Sequence, residues 1–186
     1  IYYFGNPNET PNLNTQEHLR KAFIKSAAGE TFLSWQKYKD DKKNEKTTGK
    51  ALSGDVVAQN QLNNGTIPED FKRQMFYTFG DLRDFLFGTD ISEKHGEKSN
   101  LKKKIDTLFP TDGRTQNGLS REAWWQNYGS HIWKAMLCAL EKIAGNKDKL
   151  TGHQSKYQYK TVTFSGSNSP TLETFAQRPQ FLRWMT

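Results

Sequence analysis

The chain has 186 residues, enough to bury a core without metals or disulfide staples, so one domain over residues 1–186 is the expected unit. An aromatic content of 13% beside a mean hydropathy of −0.89 implies a lean core of large rings, and a charge of +7 favours anionic partners without choosing among them. No apolar run approaches the roughly 20 residues that span a bilayer, the longest being Ala135 to Leu140, which argues against direct membrane insertion of this segment.

From Asn14 to about Asp40, Leu19, Phe23, Ile24, Ala27, Ala28, Phe32, Trp35 and Tyr38 recur at three- and four-residue steps, with Asn14 and Glu17 placed as a capping box. This predicts a long amphipathic helix. Lys39 to Asn64 mixes Lys, Asp, Asn, Gly and Gln with few residues to bury and reads mostly as a long mobile surface loop. Thr66, Pro68, Glu69 and Asp70 open a second helix through Phe71, Met75, Phe79, Leu82 and Leu86, which Gly88 stops. Ser99 or Asn100 caps a short third helix carrying Leu101, Ile105, Leu108 and Phe109, ended by Pro110.

Ser120 starts a fourth helix, with Leu119 and Trp124 as its hydrophobic staple, through Trp125, Tyr128, Ile132, Met136, Ala139 and Ile143 to Gly145. Tyr157 to Phe164 alternates weakly, as an extended segment does, and Ser169 with Pro170 opens a further turn bearing Leu172 and Phe175. Phe181, Leu182, Trp184 and Met185 begin another apolar helical pattern just before the last residue, and Ile1 is not an initiator, so both ends read as cut. The fold class is all-α, a bundle of long amphipathic helices with long polar loops.

Chemistry-bearing patterns are sparse. His18, His95, His131 and His153 are scattered without metal-ligand spacing, and no phosphate loop, dinucleotide fingerprint or nucleophile elbow occurs, so no enzyme, metal site or cofactor is expected. Asp81, Arg83 and Asp84 read as a structural ion-pair cluster on one helix. Lysines gather at Lys37, Lys39, Lys42, Lys43, Lys46 and Lys50 and at Lys102, Lys103 and Lys104. Without stacking aromatics on a sheet, a zinc finger or a helix-turn-helix, they do not indicate nucleic acid, whereas a sulfated glycosaminoglycan asks only for spaced cations. Against that stands an ordinary solvated face, diluted by Asp40, Asp41, Glu45 and Asp106. Asn8-Glu9-Thr10 and Asn64-Gly65-Thr66 match the N-glycosylation acceptor pattern. Cys138, the only cysteine, cannot pair within the chain, and in an apolar helix it reads as core filler or a disulfide partner.

Four ordered blocks carry a resemblance. They are Leu19 to Ala28 with Thr31-Phe32, Trp35 and Tyr38; Ile67-Pro68-Glu69-Asp70-Phe71 through Phe79-Gly80-Asp81-Leu82-Arg83-Asp84; Arg121-Glu122-Ala123-Trp124-Trp125 with Ile132-Trp133-Lys134-Ala135-Met136-Leu137-Cys138-Ala139-Leu140; and Pro179 to Trp184. The set resembles the second subdomain of Duffy-binding-like domains of the Plasmodium falciparum erythrocyte membrane protein 1 family. The resemblance implies a non-catalytic adhesin module on the extracellular face of the infected erythrocyte membrane. It would bind a host cell-surface receptor protein, belong to a larger, antigenically variable, membrane-anchored protein, and be seen by host antibody. It also implies that Cys138 forms a disulfide with a cysteine outside this chain, which overrides the reducing-compartment reading of a lone thiol. Binding itself would fall to the connections between blocks, with Lys37, Lys39, Lys42, Lys43, Lys46, Lys102, Lys103 and Lys104 as candidate receptor or glycan contacts, or to none of them in a pure scaffold.

Overall fold

A computed structural model describes residues 13–45, 52–89, 97–109, 118–145, 147–164 and 169–185, with backbone alone for 97–100. Its described residues form helices α1 (Gln16–Asn44), α2 (Gly54–Asn63), α3 (Glu69–Phe87), α4 (Glu97–Leu108), α5 (Arg121–Ala144), α6 (Leu172–Gln177) and α7 (Gln180–Trp184). No strand occurs among them, only an isolated antiparallel bridge between Thr163 and Thr171. The all-α expectation holds.

Helix α1 starts one residue later than the capping-box reading. Thr15 is the N-cap, accepting from the His18 amide, while Glu17 pairs with Arg20 at 2.7 Å. It buries Leu19, Phe23, Ala27, Trp35 and Tyr38 and packs most extensively against α5, where Phe23 meets Trp124, while Trp35 and Tyr38 meet Phe71 of α3. The two helices run parallel: Gln16 meets Leu119 at one end, and Arg20 lies over the Tyr128 ring further along. Helix α3 crosses both in the opposite sense, since Tyr38 meets Asp70 while Phe23 meets Phe85.

The expected Lys39 to Asn64 loop is largely helical instead. Helix α1 continues to Asn44, and Gly54–Asn63 is α2, burying Ala58 and Leu62. Tertiary partners account for the extension: Tyr38 donates to Asp70 at 2.6 Å, Lys42 pairs with Asp70 at 3.1 Å, and Trp35 Nε1 reaches Gln59. Those partners lie 24 to 32 residues away, where local composition does not see them.

Several other boundaries follow their signals, but α4 begins at Glu97, so Ser99 and Asn100 lie inside it and do not cap it. Ser120 caps α5 through the Ala123 amide, and Gly88 and Gly145 end α3 and α5 with φ of 68° and 67°, a conformation that costs a side-chain-bearing residue more. Pro68 itself, not Thr66, caps α3, and Thr171 caps α6. Pro110 and the Lys46 to Lys50 stretch lie outside the described residues. Tyr157 to Thr161 is a chain of turns, not an extended run, and only Val162 to Phe164 pairs across to Pro170 and Leu172.

The core is aromatic, as composition requires. Trp35, Trp124, Trp133, Phe23, Phe71, Phe76, Phe79 and Phe175 are fully buried. Many meet edge to face, including Phe23 with Trp124 at 5.3 Å and Phe76 with Trp133 at 5.8 Å. Gln16 clamps three elements: its amide nitrogen donates to the carbonyls of Leu108 and Leu119, and its oxygen accepts from the Leu119 amide. Truncating it in Gln16→Ala should cost about 1–3 kcal/mol, because three backbone groups lose their partner. Urea unfolding of the variant beside the parent chain measures this, and a change within error would show that water replaces the clamp.

Candidate functional site

The densest polar constellation is the one the sequence marked at Asp81, Arg83 and Asp84, but Arg83 stands at its edge, 4.0 Å from Asp84, and a second cation fills its centre. Arg183 of α7, wholly buried, reaches Asp84 at 2.5 Å and Asp81 at 3.0 Å, and donates to the Arg178 carbonyl at 2.7 Å. Gln180 also donates to Asp81, Thr89 to Asp84, and Tyr77 to the Arg183 carbonyl. Gly80 lets the guanidinium lie against α3, since a Cβ there would sit 2.8 Å from its Nε. Arg83 instead stacks over Phe87, 4.4 Å from the ring centre. Burial pushes the Asp81 carboxyl up from its usual range, although Arg183 and Gln180 pull the other way. Both carboxylates of this cluster are held by structural neighbours, and it works as a bolt between α3 and α7, not as a reaction centre.

Among the described residues, no three His, Cys, Asp or Glu side chains gather into a metal-binding group. His18, His131 and His153 are exposed on separate elements, and His95 lies outside the described residues.

The two lysine clusters do not come together. Lys37, Lys39, Lys42 and Lys43 sit on the last turns of α1, whereas α4, which bears Lys102, Lys103 and Lys104, packs at the other end of α1 beside Gln16. A helical rise of 1.5 Å per residue separates them by roughly 30–40 Å. Several are also partly neutralised: Lys37 pairs with Asp41 at 3.2 Å, and Lys42 with Glu45 at 2.9 Å and Asp70 at 3.1 Å. Lys102 and Lys104 are half-buried, while Lys43 and Lys103 are exposed. Lys46 lies outside the described residues.

Sequence reading passed over a third group of cations. Exposed Lys142, Lys147, Lys149, His153, Lys156 and Lys160 follow one another around the end of α5 and the turns beyond it, where Lys149 donates to the Asn63 carbonyl. Their spacing is irregular because turns, not a helix, carry most of them, so no run or period announces them. Asn64 and Thr66 of the acceptor pattern are both exposed on the turn after α2, and Asn8 lies outside the described residues.

Cys138 corrects the core-filler reading. Its side chain is exposed on the outer side of α5, in a groove shared with α1, so its sulfur can be reached from outside the bundle. Partial desolvation, followed by Glu141, raises the thiol above its ordinary range. Sequence periodicity could not separate it from Leu137, which is buried one residue away.

The profile of the Duffy binding domain family matches residues 2–183. The Duffy receptor of Plasmodium vivax (strain Salvador I) is 31% identical over 97 residues, 52% of this chain and 9% of that protein. The Duffy receptor alpha form of Plasmodium knowlesi is 27% identical over 90 residues, 48% of the chain and 8% of that protein. The gamma form from Plasmodium knowlesi is 28% identical over 79 residues, 42% of the chain and 7% of that protein. The chain thus matches less than a tenth of these relatives' length. No solved structure matches it significantly. With the profile covering nearly every residue, and α1, α3, α5 and α7 bearing the four sequence blocks, this chain belongs to the Duffy binding domain family.

Proposed function

We propose that the chain is an adhesin module that binds a host cell-surface receptor protein, as one Duffy-binding-like domain of a variant surface antigen displayed by infected erythrocytes. The observation that supports this is the family match over residues 2–183; the family comprises receptor-binding domains, not enzymes. Relatives named Duffy receptor point the same way. The helices supply a rigid frame, and the connections between them offer surface that can change without touching the core. In this reading Cys138 bonds to a cysteine outside these residues, which its outward position permits.

Adhesion to a sulfated glycosaminoglycan is the weaker reading for the two lysine clusters, which are far apart and in part already paired with carboxylates. The test is surface binding to a panel of host receptor ectodomains and to heparin, each at low and high salt. Receptor adhesion through a few apolar or aromatic contacts predicts binding to one ectodomain that falls only modestly with salt. Replacing Lys102, Lys103 and Lys104 together by Glu should then change Kd less than about threefold, as peripheral charges do. Loss of binding in that variant, with steep salt dependence, would move the function to the lysines; binding to nothing would reduce the chain to a scaffold.

A further inference from the structure

Along the outer side of the parallel α1/α5 pair runs a groove of about 730 Å³. Ala28, Ala135 and Ala139 form part of its lining, together with Ile24, Phe32 and Ile143. Phe32 is 46% exposed, a large ring left half in water beside an alanine floor. Alanines let another backbone approach closely. From His131 to Ile143 the groove follows α5 for about 18 Å, a little over three helical turns.

An occupant whose backbone groups were not already bonded within itself would leave N–H and C=O groups against this apolar floor. A helix satisfies its own backbone, so a helix is the element that suits the groove. Its charge is set by the rim. The ionisable side chains that line the groove besides Cys138 are His131, Lys134 and Lys142, all exposed, and no carboxylate lines it among the described residues. A second copy docked groove to groove would face Lys134 and Lys142 with their own equivalents, on a chain of net charge +7, which disfavours that occupant.

We propose that the α1/α5 groove docks an amphipathic helix of a separate polypeptide. The apolar face of that helix lies on Ala28, Ala135, Ala139 and Phe32, and carboxylates along its flanks meet Lys134 and Lys142. This assigns a partner surface on the frame of the bundle, away from the connections that serve the receptor reading, and it applies to the form in which Cys138 is a free thiol, because a disulfide there would itself seat a segment in the groove.

Cys138 lies in the groove and is the only cysteine, so its reactivity reports occupancy. The experiment uses the 186-residue chain with two synthetic 18-residue helical probes that share one leucine face, one flanked by Glu and the other by Lys. Binding is read by fluorescence anisotropy, and groove coverage by the rate at which Cys138 reacts with an aromatic disulfide reagent at pH 8.5. The Glu-flanked probe should bind at least tenfold more tightly than its Lys twin and slow the thiol reaction at least tenfold. Lys134→Glu with Lys142→Glu should reverse the preference, and Phe32→Glu, at an exposed position, should abolish protection while the circular dichroism stays that of the parent.

Equal binding of the two probes, or a preference that survives the double charge reversal, overturns the proposal. So does a thiol in the unmixed chain that, with both rates normalised to their plateau at high pH, reacts far more slowly than in denaturant while the chain is monomeric by sedimentation, because its own residues would then cover the groove. Protection that grows with chain concentration and follows a dimer would assign the groove to self-association and overturn it equally. None of these outcomes alters the receptor-binding measurements, so the two readings fail separately.

Discussion

Replacing Arg183 by Met should cost about 3–5 kcal/mol at neutral pH, the range for removing one partner of a buried ion pair. In a chain of 186 residues that lowers the melting temperature by roughly 6–20 °C. The cost arises less from the lost attraction than from what stays behind. Asp84, almost wholly buried, loses the cation 2.5 Å away, and Asp81 loses the one at 3.0 Å. Burial already raises the Asp81 pKa with Arg183 in place. A carboxyl raised in the folded state contributes stability that is present below its unfolded pKa and lost as pH rises through its folded pKa. The deficit of Arg183→Met should therefore be largest near pH 7 and shrink as pH falls toward about 4, where acid neutralises the stranded Asp81 carboxylate. Thermal melts of parent and variant at pH 4.5 and 7 check this. A deficit independent of pH would mean that Arg183 acts through the packing of its stem alone.

Trp133→Ala should be as damaging, about 3–5 kcal/mol, the range for deleting a large core aromatic. The indole is fully buried, meets Phe76 at 5.8 Å and Phe79 at 6.1 Å, and donates to the Tyr157 carbonyl at 2.7 Å. Tyr157 in turn accepts at its hydroxyl from the Ile67 amide at 2.8 Å, so one side chain on α5 supports the turn segment and the entry to α3. Trp133→Phe should recover much of the packing but leave that carbonyl unbonded. Hydrogen exchange then separates the two roles: in Trp133→Phe the Ile67 amide should lose protection well before the amides of α5. Equal loss everywhere would make Trp133 a packing residue alone.

Helix existence was legible wherever the apolar residues kept a period of three and four, as in α1, α3 and α5, and wherever glycine or a capping hydroxyl marked an end, as at Gly88, Ser120 and Gly145. Two kinds of information were not legible. The C-terminal turns of α1 look like loop because Lys, Asp and Asn dominate them, and α2 does because Gly, Asp, Asn and Gln outnumber its apolar residues; both are held by the contacts of Tyr38 with Asp70 and of Trp35 with Gln59. Arg183 was invisible as the main partner of Asp81 and Asp84 because about 100 residues separate them, and the adjacent Arg83, the cation in view, reaches Asp84 only at 4.0 Å. For the candidate surface, the lysine runs could be counted but not placed. Only the structure shows them at opposite ends of α1, and only it shows the α5 face turning Cys138 outward while Leu137 turns in.

The parallel pairing of α1 with α5 has a consequence for how the chain reaches its fold. Most helical domains assemble from neighbours in sequence and therefore fold quickly. Here the first helix rests on one that is about 100 residues later, so the stripe of Leu19, Phe23 and Ala27 lacks its most extensive partner until α5 has left the ribosome, whereas Trp35 can already meet Phe71 of α3. At about 5–20 residues per second that interval lasts many seconds, with an aromatic face open to solvent. This is a helical protein with the folding schedule of a long-range β structure, and its yield in the cell should depend on whatever shields α1 during that wait.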